Sequence, residues 1–130
     1  MRLAPTVTPD SKFFWDGITA RRLLIQRCGG CKKLRHPPRP MCPNCNSLEW
    51  DTIESSGRGQ VYSFAMPKFP EYPWFEYPYI VALIELEEGT RLVSNLCEIA
   101  PDDVRMGMPV ELFFAEFDEG LVLPQFRPAR

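Results

Sequence analysis

The second half of the chain alternates apolar and polar positions with the period of two that is typical of strands buried on one face. Five segments share this pattern: 59–66, 79–86, 91–97, 110–114 and 121–126. The polar, glycine-containing stretches 87–90 and 118–120 are typical of hairpin turns. The pattern therefore predicts five strands, with a one-turn helix or a loop over 100–109 between the third strand and the fourth.

A segment near the beginning of the chain has the spacing of a helix instead. Asp10 or Ser11 is placed to cap it, and Phe14, Trp15 and Ile18 follow at positions that share one helical face. We predict a helix over roughly 8–22 whose apolar face packs on another part of the protein.

Between the helix and the strands lie two Cys-x-x-Cys pairs, formed by Cys28 with Cys31 and by Cys42 with Cys45. Two such turns supply the four thiolates, each at ~2.3 Å, that a tetrahedral zinc ion requires. Four cysteine ligands leave no coordination position open, so the predicted zinc is structural, and it supplies much of the stability of so small a segment. Iron in a rubredoxin-like site is the alternative.

These patterns divide the chain into three regions: a helical segment at 1–23, a zinc ribbon at 24–52 and a barrel at 53–130. Strand-like pieces at 24–27 and 33–36 flank the cysteine turns, in which we expect Gly30 and Asn44 to take a positive φ. Five strands with a short insert suit a small closed barrel of the OB type. We predict a mainly β protein with an N-terminal helix, a rubredoxin-like zinc ribbon and a five-stranded OB-fold barrel.

Charge is distributed unevenly, although the net charge of the 130 residues is only −2. Residues 17–48 contain seven arginines and lysines and no acid, whereas residues 71–119 contain twelve acids and two arginines. The ribbon end should therefore attract anions. No apolar run reaches the ~20 residues of a membrane span, and the chain does not open with a signal peptide, so we expect a cytoplasmic protein without a membrane partner.

The sequence offers no recognisable catalytic constellation. It lacks a glycine-rich phosphate loop, a hydrolase elbow and a paired-carboxylate motif. His36 is the single histidine and is interpreted as a polar residue of the ribbon loop, while Cys97 on an alternating strand is interpreted as a buried structural thiol. We therefore predict no catalytic residues and no independent enzyme.

The stretch 66–79 combines four prolines with six aromatic residues. Aromatic side chains on a proline-stiffened loop lose little entropy on docking, and such residues are typical interface anchors. The alternative is that several of them fold back as a cap on the barrel. With two aromatic residues of the predicted helix, the predicted partner-binding residues are Phe14, Trp15, Phe69, Tyr72, Trp74, Phe75 and Tyr77.

Several short motifs stand in a specific order along the chain. They are Phe-Phe-Trp-Asp-Gly at 13–17, Gln-Arg-Cys-x-x-Cys at 26–31, Cys-Pro-x-Cys at 42–45, Gly-Arg-Gly-Gln-Val-Tyr-Ser at 57–63, Gly-Met-Pro-Val at 107–110, Asp-Glu-Gly at 118–120 and Pro-Gln-Phe-Arg-Pro at 124–128. Together they resemble the acyl-CoA-associated zinc-ribbon plus OB-fold family, long catalogued as a domain of unknown function. The resemblance covers residues 11–128 and includes all four ribbon cysteines.

The resemblance implies a partner role. Members of this family look like accessory subunits or fused domains of thiolase-like enzymes and of enoyl-CoA hydratases. In actinobacterial steroid side-chain degradation, such a domain is appended to a hydratase subunit and pairs with a thiolase-like aldolase. We therefore expect a non-catalytic subunit that docks on a thiolase-like acyl-CoA enzyme in a hetero-oligomer, and a hydratase domain in the full-length chain.

Arg35 and Arg39 are the candidates for binding the phosphates of CoA, with a simple solvated basic face as the alternative. The alternative function is an acyl-CoA or nucleic-acid binding module that acts alone. Nucleic-acid binding is disfavoured, because a basic stripe would have to cross the groove of a barrel that carries most of the acid.

Overall fold

The structure of the chain is a computed structural model that describes residues 4–66 and 79–129. Its α-helix and strands are α1 (Lys12–Thr19), β1 (Leu24–Cys28), β2 (Leu34–Arg35), β3 (Trp50–Glu54), β4 (Arg58–Ala65), β5 (Ile80–Leu86), β6 (Arg91–Leu96), β7 (Pro109–Glu116) and β8 (Val122–Pro128). The predicted mainly β fold with an N-terminal helix is confirmed. In the described ranges, no helix has the length and apolar character that crossing a bilayer requires.

Five strands close into a barrel in the order β4-β5-β6-β8-β7, as predicted from the alternation. All neighbouring strands are antiparallel except β6 and β8, which run parallel and meet where Leu96 pairs with Phe126. Along β5, alternate residues from Ile80 to Leu86 point into the barrel and are buried, since successive side chains of a strand face opposite sides. A 3-10 turn at Pro101–Asp103 occupies the predicted insert between β6 and β7.

The ribbon is a three-stranded antiparallel sheet in the order β2-β1-β3. Strand β1 pairs with β3 over its whole length, from Leu24 opposite Glu54 to Cys28 opposite Trp50. The ribbon sheet therefore extends to Glu54, two residues beyond the expected boundary at 52.

The expected positive φ at Gly30 and Asn44 is wrong. The left-handed conformation occurs two residues later in each turn, at Lys32 (φ 66°) and Asn46 (φ 63°). Each of these residues follows the second cysteine of its pair, where the chain turns away after its N–H has bonded back to the carbonyl of the first cysteine. Gly30 is needed for space instead, because a Cβ atom there would lie 3.2 Å from Cys45 Sγ.

Helix α1 packs against β1 and β8 and closes one side of the core. It is shorter than predicted, because Thr8–Ser11 forms a hydrogen-bonded turn before it and Arg21, at φ 64°, turns the chain away after it. Ser11 is the N-cap, one of the two predicted positions. A Cβ atom at Gly17 would lie 3.0 Å from the Arg22 carbonyl oxygen, so glycine permits this close turn.

The ribbon and the barrel are joined by hydrogen bonds as well as by chain connectivity. Glu88, in the β5–β6 turn, accepts bonds from the Ser55 hydroxyl (2.7 Å) and the Ser56 N–H (2.8 Å) just after β3. Burial raises the pKa of the Glu88 carboxyl, but these hydrogen bonds outweigh it and hold the pKa below the usual 4.5. These two hydrogen bonds, which we call the Glu88 clamp, hold the β5–β6 turn beside the ribbon.

Candidate metal centre and adjoining basic groove

The four ribbon cysteines converge on one point. Their Sγ atoms all lie within 4.8 Å of one another. The sulfur atoms of Cys28 and Cys45 are 3.4 Å apart, and those of Cys31 and Cys42 are 3.7 Å apart. A tetrahedral zinc ion with four bonds of ~2.3 Å requires sulfur atoms about 3.8 Å apart, so the donor set fits zinc.

Backbone N–H groups point at these sulfur atoms and favour their ionised form. The N–H groups of Gly30 and Cys31 donate to Cys28 Sγ at 3.3 and 3.4 Å, and the Asn44 N–H donates to Cys42 Sγ at 3.4 Å. The bond from Cys31, with smaller contributions from other donors, lowers the pKa of the Cys28 thiol from 9.0 to about 6. The turns are thus built to hold thiolates.

The pKa of Cys45 shows that the four thiols need a cation in order to ionise together. The Ser47 N–H lowers the pKa of Cys45, but the neighbouring Cys28 and burial raise it, to about 11 overall. Four sulfur atoms this close cannot all ionise alone, whereas a bound zinc ion deprotonates its thiol ligands. The geometry therefore provides a closed tetrathiolate site.

A groove of about 440 Å³ lies beside this centre, between the β2 side of the ribbon and the β5–β6 turn of the barrel. Arg35, His36 and Arg39 line it from the ribbon, and Thr90 and Arg91 line it from the barrel. No acidic residue of the described ranges is among its lining residues. The two predicted phosphate-binding arginines therefore lie in the same groove, together with an arginine from the acidic half of the chain.

Gln26 organises the ribbon side of the groove from a buried position on β1, where it is 2% exposed. Its Oε1 accepts hydrogen bonds from Arg35 Nε (3.0 Å) and the Arg39 N–H (2.9 Å), and its Nε2 donates to the Arg39 carbonyl oxygen (2.9 Å). The Arg35 guanidinium bonds that carbonyl oxygen too, at 2.9 Å from Nη2. The positions of Arg35 and Arg39 are thus fixed by one buried amide.

Sequence reasoning missed Gln26, Thr90 and Arg91. A polar residue next to Ile25 on a strand that is otherwise largely apolar was the available signal for Gln26. Nothing in the sequence brings Thr90 and Arg91 next to Arg35, because the β5–β6 turn meets the ribbon only in the folded barrel.

His36 and Cys97 have structural surroundings. The His36 ring lies 5.2 Å from the Phe14 ring, and burial lowers the pKa of His36. Cys97 is half-buried, and its thiol donates to Gln125 Oε1 at 3.3 Å. These contacts hold both side chains within the fold, and the interpretation of the two residues as structural stays a prediction.

The predicted partner-binding residues fall into two groups. Phe14 is 5% exposed and belongs to the core, so the prediction that it anchors a partner is wrong: its ring packs inside the protein. Trp15 is half-buried against the same core. Phe69, Tyr72, Trp74, Phe75 and Tyr77 lie outside the described residues.

Comparisons with known proteins agree with this architecture. Sequence profiles of the ChsH2 rubredoxin-like zinc ribbon domain and the ChsH2 C-terminal OB-fold domain match residues 15–51 and 52–115. Together with the sulfur geometry, the first match identifies the cysteine cluster as the zinc site of a rubredoxin-like ribbon.

Three curated relatives carry different names. The chain is 54% identical to the probable enoyl-CoA hydratase alpha subunit of Thermomonospora curvata, over 99% of this chain and 40% of that protein. It is 38% identical to a DUF35 domain-containing scaffold protein of Methanocaldococcus jannaschii, over 81% of this chain and 77% of that protein. It is 32% identical to the benzoylsuccinyl-CoA thiolase subunit BbsA of Thauera aromatica, over 83% of this chain and 78% of that protein. The chain thus spans about two fifths of the first relative's length.

One solved structure matches nearly end to end. It is described as Ltp2-ChsH2(DUF35) aldolase, and its chain superposes with a TM-score of 0.92 at 55% sequence identity. The match covers 95% of this chain and 98% of that chain.

Proposed function

The chain belongs to the DUF35 family of ChsH2-type zinc-ribbon and OB-fold proteins, and from this premise we propose that it is a non-catalytic accessory component of an acyl-CoA enzyme. The enzyme on which it docks is a thiolase-like subunit of the aldolase or thiolase type. The chain is needed for the assembly or the activity of that enzyme, in a hetero-oligomer.

The near-complete match to the chain of the Ltp2-ChsH2(DUF35) aldolase carries this proposal. A chain that superposes on the other chain with a TM-score of 0.92 has the same fold, and this supports a docking surface of similar shape. The thiolase subunit BbsA, at 32% identity, supports a thiolase-like partner from a second direction. The hydratase alpha subunit of Thermomonospora curvata supports a hydratase as a further associate. The 3-oxo-4,17-pregnadiene-20-carboxyl-CoA hydratase alpha subunit of Mycobacterium tuberculosis, 39% identical over 90% of this chain and 37% of that protein, supports steroid or related acyl-CoA degradation as the process.

The metal centre supports a non-catalytic role. All four zinc ligands are cysteines of this chain, so no coordination position is left for a substrate or an activated water. The zinc then acts by holding the ribbon, and the ribbon by holding the groove residues in place.

The experiment is co-expression of the chain with a thiolase-like candidate partner from its own genome, followed by size exclusion with light scattering. Co-elution at a fixed stoichiometry is expected. Acyl-CoA cleavage should require both proteins, and the purified chain alone should show no turnover. A thiolase from an unrelated locus serves as the control and should elute separately.

Two results would contradict the proposal. Separate elution of the two proteins, with and without acyl-CoA, would remove the docking role. Robust turnover by the chain alone would make it an enzyme. If the complex forms, replacing Trp74 and Phe75 with Ala tests whether the 66–79 stretch contributes to docking; weaker partner binding with an unchanged melting temperature is expected.

A further inference from the structure

The basic groove contains a buried positive charge without a counter-ion in the described part of the chain. Arg35 is 8% exposed, and none of the ion pairs among the described residues involves it. Its Nε and Nη2 bond neutral oxygen atoms, while its Nη1 is buried without a hydrogen-bond partner among these residues. Burying an unpaired charge is costly, so a site of this kind favours an anion.

A second orphaned polar atom belongs to a residue that lines the same groove. Thr90 Oγ1, on the barrel side, is also buried without a partner in the described ranges. These two side-chain atoms, Arg35 Nη1 and Thr90 Oγ1, are the ones with this property across residues 4–66 and 79–129. Both are donors on residues that line one groove, Arg35 on its ribbon wall and Thr90 on its barrel wall.

Two exposed arginines complete the site. Arg39 makes no ion pair with any described residue, and Arg91 pairs with Glu85, with 3.1 Å between Arg91 Nε and Glu85 Oε2. The three lining arginines therefore carry two more charges than Glu85, the acid that pairs with one of them, which matches a phosphate group near neutral pH better than a single carboxylate. His36 adds no positive charge near neutral pH, because burial lowers its pKa below 6.5.

The size of the groove indicates more than a bare ion. Its volume of about 440 Å³ falls within the range of about 300–1,000 Å³ of sites for small organic ligands. A phosphate ester fills such a groove with the group that carries the phosphate, whereas inorganic phosphate leaves most of it to water.

We propose that the groove between the ribbon and the β5–β6 turn binds an organic phosphate ester. Arg39 and Arg91 contact the phosphate, the Thr90 hydroxyl donates to it, and Arg35 supplies fixed charge behind it. Its assignment to the nucleotide end of an acyl-CoA rests on the proposed function; binding of the phosphate ester itself does not.

The first test measures binding to the zinc-loaded 130-residue chain by isothermal titration, with adenosine 3′,5′-bisphosphate, CoA, inorganic phosphate and pantetheine as probes. The two nucleotides should bind, inorganic phosphate should bind more weakly, and pantetheine, which lacks phosphate, should not bind. Higher salt should weaken the binding. Equal affinity for inorganic phosphate and the bisphosphate would overturn the assignment to an ester, and absence of nucleotide binding would overturn the site.

The second test uses variants with matched controls. Arg39→Gln and Arg91→Gln should each raise the Kd for the bisphosphate about tenfold or more, as expected for the loss of a hydrogen bond to a charged group. Arg22→Gln removes an arginine that pairs with Glu54 outside the groove, and it should leave the Kd unchanged. Equal losses in all three variants would place the binding elsewhere.

Thr90→Val separates a ligand role from a structural one. It removes an unpartnered hydroxyl and keeps the shape, so the free chain should melt at an equal or higher temperature. The same variant should bind the bisphosphate more weakly. A lower melting temperature with unchanged binding would assign Thr90 to the fold and contradict the proposal.

The outcome for the partner keeps the two proposals distinct. If the partner complex forms and the groove variants leave nucleotide binding unchanged, the docking role stands and the phosphate site falls. If Arg39→Gln and Arg91→Gln weaken the complex and no nucleotide binds, the groove holds an acidic group of the partner, which also overturns the phosphate ester.

Discussion

The barrel and the ribbon of this protein are stabilised in different ways. The barrel surrounds a core of apolar side chains, including Ile84 and Phe126, which are both fully buried. Within the three-stranded ribbon sheet, the residues below 3% exposure include Ile25, Cys28 and the polar Gln26. A segment with so little buried apolar surface depends on its metal, whereas the barrel depends on packing.

The comparison separates two tasks. The barrel buries its core by ordinary strand alternation and provides a rigid support. The ribbon depends on its metal rather than on a large apolar core of its own. It carries the basic side chains and places them against the barrel. The regions meet at the Glu88 clamp and at the groove, so each supplies one wall of the proposed phosphate site.

The largest effect should come from breaking the ribbon alone. Cys42→Ser removes one thiolate of four, and a structural zinc contributes roughly 10–16 kcal/mol of apparent binding free energy in small domains. We expect loss of zinc and of hydrogen-exchange protection in β1–β3, while β4–β8 stay protected. Metal content by mass spectrometry and exchange by NMR measure this.

Cys97→Ser is the matched control, because Cys97 lies outside the metal cluster. It should retain one zinc per chain. Retention of full zinc and of the wild-type melting temperature by Cys42→Ser would refute the site.

An intermediate effect should come from breaking the barrel alone. Phe126→Ala creates a cavity at a position with 0% exposure, which typically costs about 3–5 kcal/mol of unfolding free energy. We expect the unfolding midpoint in urea to fall with zinc still bound in the native state. Val93→Ala, 68% exposed on the same barrel, should change the unfolding free energy by less than about 0.5 kcal/mol.

Phe126→Ala also tests whether the ribbon and the barrel unfold together. If zinc release and barrel unfolding shift together by the same amount, the two regions form one cooperative unit. If zinc release keeps its wild-type midpoint, they unfold separately.

The smallest effect should come from the contact between the regions. Glu88→Gln weakens the hydrogen bonds to Ser55 and Ser56, and we expect a loss of about 1 kcal/mol at pH 7, since much of the carboxylate is solvent-screened. The folded-state pKa of Glu88 lies below 4.5, so its stabilisation is present above that pH and is lost as the pH falls through the folded value.

Urea unfolding of the wild type and Glu88→Gln between pH 7 and pH 3 checks this prediction. The difference between them should shrink in the acidic range. Glu119→Gln, in the exposed β7–β8 turn, should match the wild type throughout. A difference for Glu88→Gln that persists below the folded pKa would show that the charge is not its cause.

The fold followed from the sequence where one local signal determined each element. The alternation predicted the barrel strands, and the spacing of Cys28, Cys31, Cys42 and Cys45 predicted the metal centre, because thiolate pairs in tight turns have few other uses. Phe14 was misassigned for the opposite reason: helical spacing shows that a residue lies on the apolar face, but the structure decides what covers that face.

Only the ribbon side of the groove could be predicted from the sequence. The excess of basic residues in the ribbon pointed to Arg35 and Arg39, whereas Thr90 and Arg91 lie more than 50 positions later in an acidic region. Their contact with the ribbon depends on barrel closure and on the clamp at Glu88. Neither barrel closure nor the Glu88 clamp is indicated by a local pattern in the sequence.

The ends of the ribbon meet at one place on the fold. Leu24 at the beginning of β1 lies opposite Glu54 at the end of β3, and the Ser55 N–H donates to the Leu23 carbonyl oxygen at 2.8 Å. A segment that leaves and returns at one point can be replaced without rerouting the chain around it. Changes in the length of the loop between the two cysteine pairs should therefore leave the path of the chain from α1 to β4 unchanged, whereas β1 itself has to stay, because α1 packs on it.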